Sequence, residues 1–149
     1  MREIFIHLFK NSLDHGIESP HCRRSKGKSV TGEIFIKLRP SEENLVIEVW
    51  DDGQGLNIEK IRRKMNPSSA ALTSKDLAHA IFQSGFLTKN QVNHVSGRGI
   101  GMDAVRNSLE SHGASIHIKL RPEDYGCDQF TVFSFVIAIP RGYFVIQQD

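Results

Sequence analysis

Apolar residues recur at Ile4, Phe5, Leu8, Phe9 and Leu13. That three-and-four spacing predicts an amphipathic helix over residues 2–16, with this stripe facing a core. The following segment, S-P-H-C-R-R-S-K-G-K-S at 19–29, is polar and turn-rich and reads as a loop or a short helical turn. Strands are predicted at about 30–39 and 44–51, with Pro40-Ser41-Glu42-Glu43 between them as a hairpin. Alternation along the second strand buries Val46 or Ile47, then Val49. Trp50 points to the opposite face from Asp51, which favours core packing over stacking on a ligand. Helical segments are expected near 57–65 and 74–83. Residues 84–98 carry Gly, Ser, Thr and Asn without sustained periodicity and read as a mobile loop. A helix from about 99 to 112 stops at Gly113, and strands near 114–121 and 130–140 complete the pattern.

The 149 residues give room for one domain and a single core, and neither a repeat nor a linker divides them. A hydrophobic fraction of 39% with 24% charged residues places the chain among ordinary soluble globular domains. The formal charge of +2, spread along the chain, argues against nucleic acid as a partner. No apolar run reaches membrane-spanning length and the start lacks a signal-peptide layout, so no direct membrane insertion and a cytoplasmic location are expected. Cys22 and Cys127 lack metal-ligand spacing and read as reduced thiols.

Three runs carry chemistry: H-L-F-K-N-S-L-D-H-G-I-E at 7–18, D-D-G-Q-G-L at 51–56 and S-G-R-G-I-G-M-D at 96–103. On a helix His7 and Asn11 stand four apart, and Asp14 and His15 follow Asn11 by three and four, so these side chains share the face opposite the apolar stripe. A solvated face is the ordinary alternative. The stripe is not a Lys/Glu mixture, however, and an Asn offers a neutral oxygen suited to Mg²⁺ already held by phosphates.

Asp51 ends a strand and is followed by Asp52-Gly53-Gln54-Gly55. Such a run forms a turn by its composition. A buried carboxylate there can also accept a hydrogen bond from the exocyclic amine of adenine, and glycines such as Gly53 and Gly55 would let a base come close to the backbone. Asp52 reads as a turn or surface residue. Gly97, Gly99 and Gly101, with Arg98 among them, lead into a helix near Met102 whose N–H groups suit phosphate. The alternative is a flexible loop. Met102 breaks the dinucleotide fingerprint, and Gly27-Lys28-Ser29 is no P-loop, since Cys22 stands where the earlier glycine belongs.

Together the three runs resemble the ATP-binding domain of the GHKL (Bergerat) superfamily, shared by gyrase-type ATPases, heat-shock chaperones, histidine kinases and mismatch-repair ATPases. Within it the chain is most similar to chemotaxis histidine kinases of the CheA type. The features that carry this are His7 where most members have an acid, Asp14-His15-Gly16-Ile17-Glu18, Ser84-Gly85-Phe86-Leu87-Thr88-Lys89, and Ser96 through Asp103. The resemblance runs from about residue 4 to 140. It implies an α/β two-layer sandwich, a mixed, mainly antiparallel sheet with helices on one face, with ATP between the helices and a lid at about 84–98.

By the same resemblance Asn11 ligates Mg²⁺ and Asp51 recognises adenine. His7 and His15 lie beside the phosphates, with His7 the better candidate for orienting or deprotonating an attacking group. Lys10 stands where arginine is usual, Lys89 is the lid cation, and Asp14, Gly53, Gly55, Gly97, Arg98, Gly99, Gly101 and Met102 line the nucleotide. The implied product is phosphohistidine on a separate phosphoacceptor domain, with response regulators downstream and coupling or receptor proteins as further partners.

Departures are Lys10, Ser84 in place of proline, and Phe133-Ser134 where the last strand usually carries Gly-Thr. The chain also starts inside the first helix, so it is expected to be a domain truncated on its N-terminal side. His21, His79, His94, His112 and His117 lack ligand pairs or a phosphoacceptor context and read as surface or partly buried side chains. Two other functions stay open: an ATPase hydrolysing its nucleotide for conformational work, and a degenerate, non-catalytic ATP sensor.

Overall fold

The computed structural model describes residues 1–65, 72–83, 101–121 and 130–145. The first helix, α1, spans Arg2–Asn11 and continues as a π-helical turn over Ser12–Gly16. Ile4 and Leu8 are buried as the spacing predicts, and Phe5 and Phe9 pack at the margin of the core. Leu13 does not follow them: it is 64% exposed. At about 100° per residue Leu13 stands nearly opposite Ile4, at the far edge of the stripe, and Ser12, on the Ile4 and Leu8 side, takes the buried place instead. Beyond it the helix widens into the π turn, where the Ile17 amide reaches back five residues to the Ser12 carbonyl at 2.7 Å.

A short helix α2 (Pro20–Ser25) follows, started by the Ser19 hydroxyl accepting from the Cys22 amide and by proline at its first position. Strands β1 (Ile34–Pro40) and β2 (Asn44–Asp51) form the expected hairpin, with β1 starting four residues later than its composition suggested. Then come β3 (Leu56–Asn57), α3 (Ile58–Lys64), and α4 (Ser74–His79) extended by a 3₁₀ turn. The last helix, α5, is Met102–Glu110; the chain then turns through Gly113 (φ +68°) into β4 (Ser115–Leu120). β5 (Phe130–Thr131) and β6 (Phe133–Pro140) close the fold.

The main sheet has the order β1-β2-β6-β4, and β3 pairs with β5 in a separate ladder. Every pairing among the described residues is antiparallel. Register places Ile47, Ile137 and Ile116 in one row and Val49, Phe135 and Ile118 in the next. This face meets Ile4 and Leu8 of α1, Ile61 of α3, Leu77 of α4, and Val105 and Leu109 of α5 in one core. It is the two-layer arrangement expected, with helices on one face.

The opposite face of the sheet is built differently. Glu48 is 3% exposed there, between Val49 and Ile47, which point to the core. Its carboxylate accepts from the Ser134 hydroxyl at 2.8 Å, from the Lys119 ammonium at 3.3 Å and from Arg39. Ser134, at the position of the usual Gly-Thr, is thus committed to the outer face, whereas Phe133 lies on the inner side, edge-on to Phe135. Trp50 also belongs to the outer face. It stacks on Phe35 with centroids 5.2 Å apart and carries the Arg121 guanidinium 4.7 Å above its ring. It packs, but outside the helix-covered core where it was expected, because the strand alternates strictly as far as Asp51.

Burial opposes ionisation of Glu48, but the Ser134 and Lys119 hydrogen bonds and the Lys119 and Arg39 charges outweigh it and hold the carboxyl below the 4.5 of a free glutamate. A depressed carboxyl contributes stability that is present above pH 4.5 and lost as pH falls through the lower folded value. Glu48→Ala is therefore expected to cost about 2 kcal/mol at neutral pH. The difference from the parent should shrink on acidification below pH 4.5. Thermal unfolding across that range checks it; a pH-independent difference would contradict the assignment.

Candidate nucleotide site

The π-helical turn is where two of the three sequence runs meet, and its flank touches the third. The Gln54 amide donates to the Gly16 carbonyl at 2.9 Å and the Gln54 side chain to the His15 carbonyl at 3.0 Å, joining the end of the first helix to the turn after β2. One residue before the π turn, the Asn11 amide donates to the Met102 sulfur at 3.3 Å, which ties α1 to the start of α5. Asn11, Asp51, Gly53 and Met102 are in this way drawn into one region.

Asp51 is half-buried at the end of the core-facing row Ile47, Val49, Asp51. Its Oδ1 accepts from the Gly53 amide at 2.9 Å, and the Ser12 hydroxyl is a second donor to the carboxylate. Burial is the leading influence and raises its pKa above the ordinary 3.8; these two hydrogen bonds act against that rise without reversing it, and the Asp52 and Glu18 charges add to it. A carboxylate that has lost solvent and keeps an acceptor oxygen is suited to a ligand N–H donor. Ser12 was not singled out from sequence. The available signal was a hydroxyl on the Ile4, Leu8, Ser12 line, a polar atom at a core position.

Two glycines are required by close approach. A Cβ at Gly53 would lie 2.1 Å from the Gly16 carbonyl oxygen, and one at Gly16 would lie 2.8 Å from the Asp51 carboxylate. Gly55 combines a φ of +79° with a virtual Cβ 2.4 Å from the Thr131 carbonyl. At Gly53 and Gly55 the close neighbour is backbone, so neither position has room for a side chain.

At the start of α5 the capping residue is Gly101, which offers no side-chain acceptor, whereas Ser19, Asn57 and Thr73 cap α2, α3 and α4 with their side chains. The first-turn amides of α5 are thus left without a side-chain cap, although Asp103 folds back over Gly101. Met102 itself is buried.

His7 is half-buried, and burial first, then the Lys10 charge, lowers its pKa below 6.5, so its imidazole is neutral at pH 7. Lys10, Asp14 and His15 are exposed. Lys89, Gly97, Arg98, Gly99 and the 84–98 loop lie outside the described residues. Among the described residues no group of three or more His, Cys, Asp or Glu side chains is placed to hold a metal ion. The half-buried Asn11 amide spends its nitrogen on Met102 and keeps an oxygen that could serve as a neutral donor to a cation held by ligand oxygens.

Asp52 has a structural part that its turn composition did not reveal. Its carboxylate accepts from the buried Arg23 guanidinium at 2.5 Å and from the Glu33 amide at 2.9 Å.

Comparison with known proteins shows the family. Residues 1–141 match the family model described as histidine kinase-, DNA gyrase B- and HSP90-like ATPase. The chain is 41% identical over 128 residues to a gliding motility regulatory protein of Myxococcus xanthus, covering 81% of this chain and 16% of that one. It is 41% identical over 121 residues to the chemotaxis protein CheA of Bacillus subtilis, covering 76% and 18%. It is 37% identical over 149 residues to CheA of Listeria innocua, covering 95% and 23%. The chain therefore spans less than a quarter of the length of these relatives.

The contact at Gly53 leads to a direct expectation. Gly53→Ala forces the turn away from Gly16 and should lower stability by roughly 1–3 kcal/mol, the usual range for overpacking a close contact. Denaturant unfolding checks this, and a variant as stable as the parent contradicts the packing described.

Proposed function

The chain belongs to the histidine kinase-, DNA gyrase B- and HSP90-like ATPase family, and from that membership we propose that it is the ATP-binding catalytic domain of a chemotaxis-type histidine kinase. The observation that carries the reading is the Asp51 carboxylate, half-buried, held by Gly53 and Ser12, and flanked by positions that exclude a Cβ. Adenine presents an exocyclic amine to such an acceptor, whereas guanine presents a carbonyl at the same ring position.

Each remaining residue has a part in this proposal. The Asn11 amide oxygen would supply a protein ligand to Mg²⁺, and the ion would offset charge on the triphosphate. In this proposal the first-turn amides of α5, Gly101 and Lys10 would bind phosphate, with Asp14 and His15 bordering it; Gly97, Gly99, Lys89 and Arg98, to which the family resemblance gives the same role, lie outside the described residues. His7, neutral at pH 7, orients the incoming imidazole of the acceptor or takes up its proton. In the transfer the γ-phosphorus bonds to an imidazole nitrogen of a separate phosphoacceptor domain as its bond to the bridging oxygen breaks and ADP leaves. Response regulators downstream, and coupling or receptor proteins upstream, complete the proposal. No helix among the described residues is long and apolar enough to cross a membrane.

Phosphotransfer to an added phosphoacceptor domain, alongside ATP titration, tests the roles. Asn11→Ala should weaken Mg²⁺-dependent ATP binding by about tenfold. His7→Ala should leave binding within about twofold of the parent and slow transfer roughly a hundredfold. The acid limb of the parent's transfer rate should fall below pH 6.5, because His7 gains its proton only there. Identical defects in both variants, confined to binding, would reject this division of roles.

A further inference from the structure

The run Gly27-Lys28-Ser29 takes no part in the roles above, yet Lys28 reaches the turn that carries Asp51. Its ammonium donates to the Asp52 carbonyl at 2.8 Å and to the Gly53 carbonyl at 3.0 Å. Arg23 comes to the same turn from α2: it donates to the Asp52 carbonyl at 3.4 Å and pairs with the Asp52 carboxylate at 2.5 Å. Its other contacts, to the Ser29 and Thr31 carbonyls, bind it into the 29–31 segment. Glu18 accepts from both cations at 3.2 Å, so one buried carboxylate holds the pair together. Arg23 is 1% exposed. A guanidinium removed from water this completely is retained only with its donors satisfied, and here they are spent on one turn and its neighbours.

The geometry of the peptide unit turns these contacts into an effect on Asp51. The unit is planar and trans, so its C=O and N–H point to opposite sides. In the Asp52–Gly53 peptide the carbonyl faces Lys28 and Arg23, and the N–H on the far side donates to Asp51 Oδ1. In the Gly53–Gln54 peptide the carbonyl faces Lys28, and the N–H donates to the Gly16 carbonyl. Two successive peptides are thus gripped by cations on one side. On the other they hold the carboxylate in place and dock the turn on the end of the first helix.

We propose that Lys28 and Arg23 are positioning residues for adenine selection: by gripping the carbonyl side of the two peptides after Asp51, they aim the amides that orient its carboxylate. The inference rests on the reading of Asp51 as the adenine partner. It adds that the preference for adenine is set from behind the turn by residues that never touch the nucleotide.

The test is calorimetric titration of the chain with Mg²⁺-ATP and Mg²⁺-GTP, for the parent, Lys28→Met, Arg23→Lys, Asp51→Ala and the Lys28→Met/Asp51→Ala pair. Lys28→Met keeps the stem and removes the ammonium; it is expected to weaken ATP about tenfold while GTP changes less than about twofold. In the Asp51→Ala background the same substitution should change ATP affinity by less than about twofold, since the oriented group is gone. Arg23→Lys keeps the charge but loses the fork, and should narrow the ATP-over-GTP ratio in the same direction. If Lys28→Met does not fold, Arg23→Lys and its pair with Asp51→Ala carry the same comparison. Equal loss of ATP and GTP affinity, or the same loss with and without Asp51, overturns the positioning role and leaves only a structural one. A parent that does not prefer ATP over GTP fails earlier, at the reading of Asp51 itself.

Discussion

Between the end of the first helix and the turn after β2 there is room for backbone and hydrogen only. The Gly16 carbonyl takes the Gln54 amide, and a methyl group at Gly53 would overlap that carbonyl. Because the gap is this small, the position of the turn is not adjustable: the first helix sets it, and the turn in turn sets the Asp51 carboxylate. Ser12 continues the Ile4 and Leu8 line of the first helix and stays inside, where its hydroxyl reaches Asp51, while Leu13 lies out in solvent. A buried hydroxyl on this line is a local exception to apolar patterning of the kind that functional positions produce.

The sheet serves the same geometry from below. β2 alternates strictly, so the row that packs Ile47 and Val49 into the core delivers Asp51 to its end, and the other row sends Glu48 and Trp50 outward. β6 lies between β2 and β4, and its Ser134 locks to Glu48 across the outer face. A buried carboxylate and a half-buried one, three residues apart, are therefore treated in opposite ways. Hydrogen bonds and nearby cations hold Glu48 ionised and structural. Asp51, with amide and hydroxyl donors but a prevailing burial penalty, keeps a raised pKa and an acceptor for a ligand.

Much of this was legible in the chain. The apolar periodicity of Ile4 and Leu8, the hairpin at Pro40–Glu43, and the alternation leading to Asp51 are local patterns, and local patterns reach the structure intact when nothing distant competes. The family resemblance added the order of the runs, which no single glycine string carried. Other features depended on contacts distant in sequence. The buried place of the Ser12 hydroxyl is tied to Asp51, 39 positions away in sequence, and no pattern within Ser12–Gly16 shows it. Trp50 was assigned to the right face and the wrong layer, since strand alternation gives a side but not what covers it. Lys28 looked like the tail of a failed phosphate loop. Its role emerges only when the loop folds back on the carbonyls of Asp52 and Gly53.

The central claim is that Asp51 accepts a hydrogen bond from the exocyclic amine of adenine. The most direct measurement compares Mg²⁺-ATP with the purine riboside triphosphate that lacks only that amine, on the parent and on Asp51→Ala. The account predicts that the parent favours ATP by roughly tenfold or more, the size of a hydrogen bond to a charged group, and that Asp51→Ala binds the two nucleotides alike. Equal affinities in the parent, or an undiminished preference in Asp51→Ala, would contradict it.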